Sequence, residues 1–236
     1  MNEINLKAKP SHFFIGDENT PIFILDDILL DTSAAIIEAQ SANYIQQKNV
    51  DGTYYPGVRA DVGGDYGMTI LKAIQSIFYS FYQVPKNLTL IPKSGQYSLL
   101  TQSERELDLL QCLPHYDNKN QYSFAVLHYL NPGEFGGTGF YRHRPTGYEN
   151  ITQRRKSSYI SAAQKYIDNN GLPTQKYFTH SDEHYELLKK VDYKANRLLI
   201  YPASVLHSIF IENPEHDVND DPATGRLTAN FFIDFK

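Results

Sequence analysis

A chain of 236 residues, 41% of them hydrophobic, is long enough to bury a core unaided, and its one cysteine, Cys112, cannot form an internal disulfide. A formal charge of −5 without a basic run argues against general binding to a nucleic-acid backbone, which takes clustered Lys and Arg. Asp26 and Asp27 break the apolar stretch 22–30, and residues 1–10 lack the apolar centre of a signal peptide, so a single domain over 1–236 in the reducing cytoplasm is expected, away from membranes and acting on a small molecule or peptide.

In chain order, residues 1–87 read as mixed support for a β-rich core over 88–236. A short strand is predicted at 21–25 and a helix at 33–47. Residues 68–82 place Ile70, Leu71, Ile74, Ile77, Phe78 and Phe81 on one stripe with a period near 3.6, which predicts a core-facing helix ended by Pro85. Strands are predicted at 96–101, 107–117, 122–130, 139–144, 196–201, 205–211 and 226–235. Helices at 157–169 and 181–191 form an expected insertion near 157–192. The fold class is thus a β-rich α+β domain. Eighteen tyrosines and no tryptophan suit sheet packing and equally an aromatic-lined pocket.

His115 and Asp117 lie two apart at the end of a predicted strand, where alternation points both side chains the same way. A third ligand must come from elsewhere, and His207, among apolar residues in another predicted strand, is the candidate. Two histidines and one carboxylate on one face of a metal leave the opposite positions open, the arrangement of non-haem iron(II) oxygenases. Arg226 opens the last predicted strand, where a guanidinium can pair bidentately with a carboxylate such as that of 2-oxoglutarate; a surface arginine in a turn beside Gly225 is the plainer alternative.

Taken together, Pro114-His115-Tyr116-Asp117, Tyr129-Leu130-Asn131, Gly136-Gly137-Thr138-Gly139-Phe140, the run 196–201 leading to His207, and Gly225-Arg226 running on to Phe232 resemble the prolyl-4-hydroxylase-like branch of the 2-oxoglutarate and iron(II) dioxygenases. The resemblance implies a double-stranded β-helix of the jelly-roll, cupin-like kind, with Fe(II) on His115, Asp117 and His207, 2-oxoglutarate on Arg226, and dioxygen as co-reactant. Tyr55-Pro56-Gly57-Val58-Arg59 and Tyr141-Arg142-His143-Arg144-Pro145-Thr146-Gly147-Tyr148-Glu149 further resemble a little-characterised bacterial family often encoded near flavin-dependent tryptophan halogenases. Related iron halogenases carry a small residue where Asp117 stands, so hydroxylation is implied, with desaturation open to the same residues. Three departures stand out. Cys112 replaces a tyrosine that helps to hold 2-oxoglutarate in the branch, which leaves Tyr129 as the substitute; an acidic loop, 213–224, lengthens the interval from His207 to Arg226; and the stretch from Gly137 to Asn196 is long enough for a lid or partner surface.

In a strand, Arg142 and Arg144 share one face and need an anionic partner, either Glu149 or, together with Arg59, the carboxylate of an amino-acid-like or peptide substrate. His128, His143, His180, His184 and His216 have no companion acid at ligand spacing in a strand and read as structural. Gly136-Gly137 reads as a tight turn, and Arg154-Arg155-Lys156 as the start of a solvated helix. Two readings compete with the oxygenase: an accessory binding protein on the same fold, and a cupin-like metal enzyme that does not use 2-oxoglutarate.

Overall fold

The computed structural model describes residues 2–46 and 55–236. In chain order the elements are β1 (Pro10–Ile15), β2 (Thr20–Leu25), α1 (Ser33–Gln40), β3 (Ile45–Gln46), β4 (Gly57–Asp61), α2 (Gly64–Ser80), β5 (Leu90–Leu100), β6 (Ser123–Tyr129), β7 (Gly137–His143), α3 (Lys156–Asn170), β8 (Tyr185–Val191), β9 (Leu198–Pro202), β10 (His207–Phe210), α4 (Pro214–Asp217) and β11 (Leu227–Phe235). An eight-stranded sheet runs β1-β2-β9-β6-β11-β5-β4-β3, and a three-stranded sheet runs β10-β7-β8. Every pairing is antiparallel, in a jelly-roll-like arrangement.

The large sheet is covered on both faces, and β6 is buried along its whole length. Phe124 and Val126 face one way, against Ile70, Leu71, Ile74 and Phe78 of α2; Ala125, Leu127 and Tyr129 face the other, toward Phe140, Val191 and Val205 of the small-sheet side. Strand alternation thus splits one segment between two cores. The helix predicted over 68–82 forms as α2, and its buried stripe is Tyr66, Ile70, Leu71, Ile74 and Phe78.

Two predicted elements change type, and two other predictions change bounds. Residues 107–117 are not a strand. Asp108 and Gln111 cap each other around a 3-10 turn, Leu109–Cys112, so side-chain bonds to local backbone win over sheet pairing. Only His115 then meets another strand, in an isolated bridge to His207. Nor are residues 181–191 a helix. The Asp182 carboxylate accepts the amide hydrogens of His184 and Tyr185, turning the chain into β8, which pairs with β7. The expected insertion near 157–192 therefore reduces to α3 and its following loop, because β8 belongs to the small sheet. The helix predicted over 33–47 stops at Gln40, where the Ser41 hydroxyl bonds back to the Ile37 carbonyl, and its last predicted residue lies outside the described residues. Among the described residues no helix is long and apolar enough to cross a membrane.

Candidate metal centre

His115 and His207 exchange both backbone hydrogen bonds, the His115 amide donating to the His207 carbonyl at 2.9 Å and the reverse at 2.8 Å. Two residues on, the Asp117 amide donates to the Ala203 carbonyl at 2.8 Å, so the loop carrying two of the groups is sewn to the chain carrying the third. The side chains converge: His207 Nε2 lies 3.4 Å from Asp117 Oδ2, His115 Nε2 lies 3.8 Å from Asp117 Oδ1, and one ligand atom from each fits within 4.8 Å of the others. The Val205 carbonyl, 2.9 Å from His207 Nδ1, can only accept, which puts the proton on Nδ1 and leaves the Nε2 lone pair facing Asp117.

These groups open onto a cavity of about 1100 Å³ between the two sheets. The His115 side chain is 45% exposed where it lines that cavity, yet protein packs around its remaining sides. Burial, then the neighbouring His207 and Arg59, hold its pKa well below the usual imidazole value, which keeps it in the neutral form that ligates. Burial raises the Asp117 pKa, while His207 and Arg59 oppose the shift. A dication among the three groups would stabilise the carboxylate.

Arg226 enters the site from the residue before β11 and is 1% exposed. Its Nε donates to the Gly136 carbonyl at 2.7 Å and its Nη2 to the Gly137 carbonyl at 3.2 Å. Close packing of the neighbouring chain segments requires glycine at both positions. A Cβ on Gly136 would collide with the Phe210 carbonyl, and one on Gly137 with the Val191 carbonyl. The acidic loop has a place here too, since buried Asp217 of α4 accepts the Gly136 amide hydrogen at 2.9 Å and so fixes the carbonyl that Arg226 uses.

Tyr129 does not line the cavity. It bonds Thr138 at 2.8 Å and, with Tyr193, lays an aromatic bed under the Arg226 guanidinium, 5.6 and 5.8 Å from the ring centres. Cys112 is buried against Leu100, Leu107 and Tyr177, also outside the cavity lining. Of the six tyrosines that line the cavity, Tyr55 is the one whose buried hydroxyl makes no hydrogen bond of good geometry, although the Arg226 guanidinium stands near enough to interact with it. Its sequence signal was only the Tyr-Pro-Gly turn leading into β4.

A model described as "Family of unknown function (DUF6445)" matches residues 6–233. The chain belongs to DUF6445. No curated protein matches it. Among solved structures it is similar to HygX from Streptomyces hygroscopicus with nickel, 2-oxoglutarate and hygromycin B bound, at TM-score 0.50 and 13% identity over 92% of this chain and 84% of that one. It is likewise similar to the non-heme alpha ketoglutarate dependent epimerase SnoN from nogalamycin biosynthesis, at TM-score 0.51 and 14% identity over 90% of this chain and 78% of that one. At these identities the likeness establishes a shared fold.

In this DUF6445 chain Arg142 and Arg144 lie away from the cavity lining. Arg142 projects from β7 to Glu149, Glu186 and Asp17, and Arg144 sits past the strand end on the Asp182 carbonyl. Of the three arginines read as substrate contacts, Arg59 alone lines the cavity with the triad. His143 and His184 meet each other at 3.1 Å in a buried pair.

Proposed function

We propose that this DUF6445 member is an Fe(II)- and 2-oxoglutarate-dependent oxygenase that hydroxylates a small molecule or peptide. We read the two sheets as the halves of a double-stranded β-helix and residues 1–236 as one domain. The observation that carries the proposal is the convergence of His115, Asp117 and His207 on one cavity wall, a donor set suited to a facial two-histidine, one-carboxylate iron site.

The floor of the same cavity tests whether the cosubstrate fits. Arg226 can only donate, the nearby Tyr55 hydroxyl makes no hydrogen bond of good geometry, and a buried polar group left unpaired costs about 1 to 3 kcal/mol. An acceptor is what the floor is short of, and the distal carboxylate of 2-oxoglutarate supplies one. When bound, the metal and 2-oxoglutarate supply the oxidation: R–H, 2-oxoglutarate and dioxygen give R–OH, succinate and carbon dioxide. The chain's own work is placement. The His115–His207 ladder spaces the imidazoles, Arg226 sets the depth of the diacid, and the sheets exclude bulk water.

Anaerobic protein with iron(II) and 2-oxoglutarate should develop a weak visible charge-transfer band, and air should then release succinate. Arg226→Met should raise the 2-oxoglutarate requirement by about tenfold to a hundredfold, the worth of hydrogen bonds to a charged group, with iron stoichiometry unchanged. Iron binding with neither band nor succinate would instead identify an accessory binding protein on this fold.

A further inference from the structure

Two features of the cavity are used by neither the metal nor the cosubstrate. One is Arg59 on β4. Its Nη1 donates to Gln96 Oε1 at 3.0 Å and its guanidinium sits 4.8 Å from the centre of the Tyr55 ring, but its Nε is buried with no hydrogen-bond partner. It forms no ion pair among the described residues, although His115 and Asp117 both feel its charge. The Nε–Nη2 edge of a guanidinium matches the two oxygens of one carboxylate. Lys93 and Lys156 also line the cavity, but Lys93 is solvated, Lys156 at the start of α3 is partly so, and neither ammonium offers the two-pronged edge that a carboxylate matches.

The other feature is the rim. Ten large apolar residues are exposed on the described surface, and four of them, Ile45, Leu109, Leu110 and Ile160, line this one cavity. They come from β3, from the 3-10 turn and from α3, so three separate segments bring apolar surface to a single opening. At about 1100 Å³ the cavity is slightly larger than the roughly 300–1,000 Å³ typical of ligand sites, and a five-carbon diacid fills a small part of it.

We propose that the substrate is a carboxylic acid with a bulky apolar body, its carboxylate held by Arg59 beside the metal and its body resting on Ile45, Leu109, Leu110 and Ile160. This rests on the function proposed above, because Arg59 is free for substrate only if 2-oxoglutarate takes Arg226. A single guanidinium lining the same cavity as Asp117 favours a singly charged, planar carboxylate over a phosphate, which would bring more charge than one Arg can match.

The probes are 1-naphthylacetate and its neutral twin 1-naphthylacetamide, followed by naphthyl anisotropy on nickel-loaded protein with and without 2-oxoglutarate. The chain has no tryptophan, so excitation at the red edge of the naphthyl band, beyond the absorption of its eighteen tyrosines, makes the emission report the ligand alone. The acid should bind at least about tenfold more tightly than the amide. Arg59→Gln should erase that ratio and Arg59→Lys should retain part of it, while Ile160→Asn, which adds polarity but no charge, should weaken acid and amide alike. Saturating 2-oxoglutarate should leave the acid's affinity unchanged. Equal binding of acid and amide, no binding of either, or a ratio that survives in Arg59→Gln overturns the proposal. Competition between 2-oxoglutarate and the acid that Arg59→Gln abolishes would assign Arg59 to the cosubstrate and overturn it too. A missing charge-transfer band would sink the oxygenase itself, and the acid-to-amide ratio measured without 2-oxoglutarate separates the two failures.

Discussion

The outer face of β7 and the cavity floor hold the same kinds of group, yet they differ in how completely those groups are partnered. Beside β7, each guanidinium nitrogen of Arg142 has an acidic acceptor: Nε on Glu149 at 2.9 Å, Nη1 on Glu186 at 3.1 Å, and Nη2 on Glu149 and, at 2.8 Å, on Asp17. Glu149, fully buried, also accepts the amide hydrogens of Asp17 and Glu18. Across the sheet, His207 and His115 turn Nε2 toward an aspartate with no donor between them, and Tyr55 and Arg59 each keep a buried polar atom without a partner. Residue type does not separate scaffold from site; unmet hydrogen-bonding and ligating capacity does.

That contrast can be broken by experiment. The largest effect belongs to the open cluster: His115→Ala, Asp117→Ala and His207→Ala should each lower iron affinity by more than about a hundredfold while moving Tm by less than about 4 °C, as metal titration and melting curves would report. Near-normal iron stoichiometry in all three would remove the triad. For the saturated cluster the pattern should invert. Glu149→Ala removes the acceptor of Arg142 Nε and of the Asp17 and Glu18 amides while leaving Arg142 paired with Glu186 and Asp17, so unfolding free energy should fall by about 1 to 3 kcal/mol with iron affinity within a few-fold of the parent. A smaller effect is expected from pH. Burial holds His143 and His184 at about 4, with their mutual repulsion adding to the shift on His143. The unfolded chain takes up those protons near pH 6.5 and the folded chain does not, so stability present above pH 6.5 is lost as pH falls toward 4. Each histidine should contribute about 1 to 2 kcal/mol of loss between pH 7 and 5, and His143→Gln should flatten the urea-midpoint profile correspondingly. An unchanged slope would mean that the pair accommodates a proton.

Much of the helix and sheet framework was legible because it is written in local periodicity: the stripe of α2 and the apolar runs of β6, β9 and β11 form where the pattern puts them. The pairing of His115 with Asp117 was legible from spacing and His207 from its apolar strand, and the three side chains do converge, although His115 and Asp117 occupy a loop clamped to β10 rather than the predicted strand. What sequence withheld depends on distant partners. Tyr55 reaches the floor through the pairing of β4 with β5, and Arg142 is satisfied partly by Asp17, from the far end of the chain. β8 carries a helix-like composition that its pairing with β7 overrides.

The reciprocal backbone pair between His115 and His207 bears on which ion the site would hold. Main-chain bonds fix the two histidine backbones before any metal would arrive, so the frame is the same for every first-row dication and none is selected by refolding. Preference among ions would then rest on the side-chain rotamers, on intrinsic ligand affinity, in which nickel and copper outrank iron(II), and on supply. Protein purified from different media should therefore carry different metals on one unchanged frame, and the amide protons of His115 and His207 should exchange at the same slow rate whichever ion is removed.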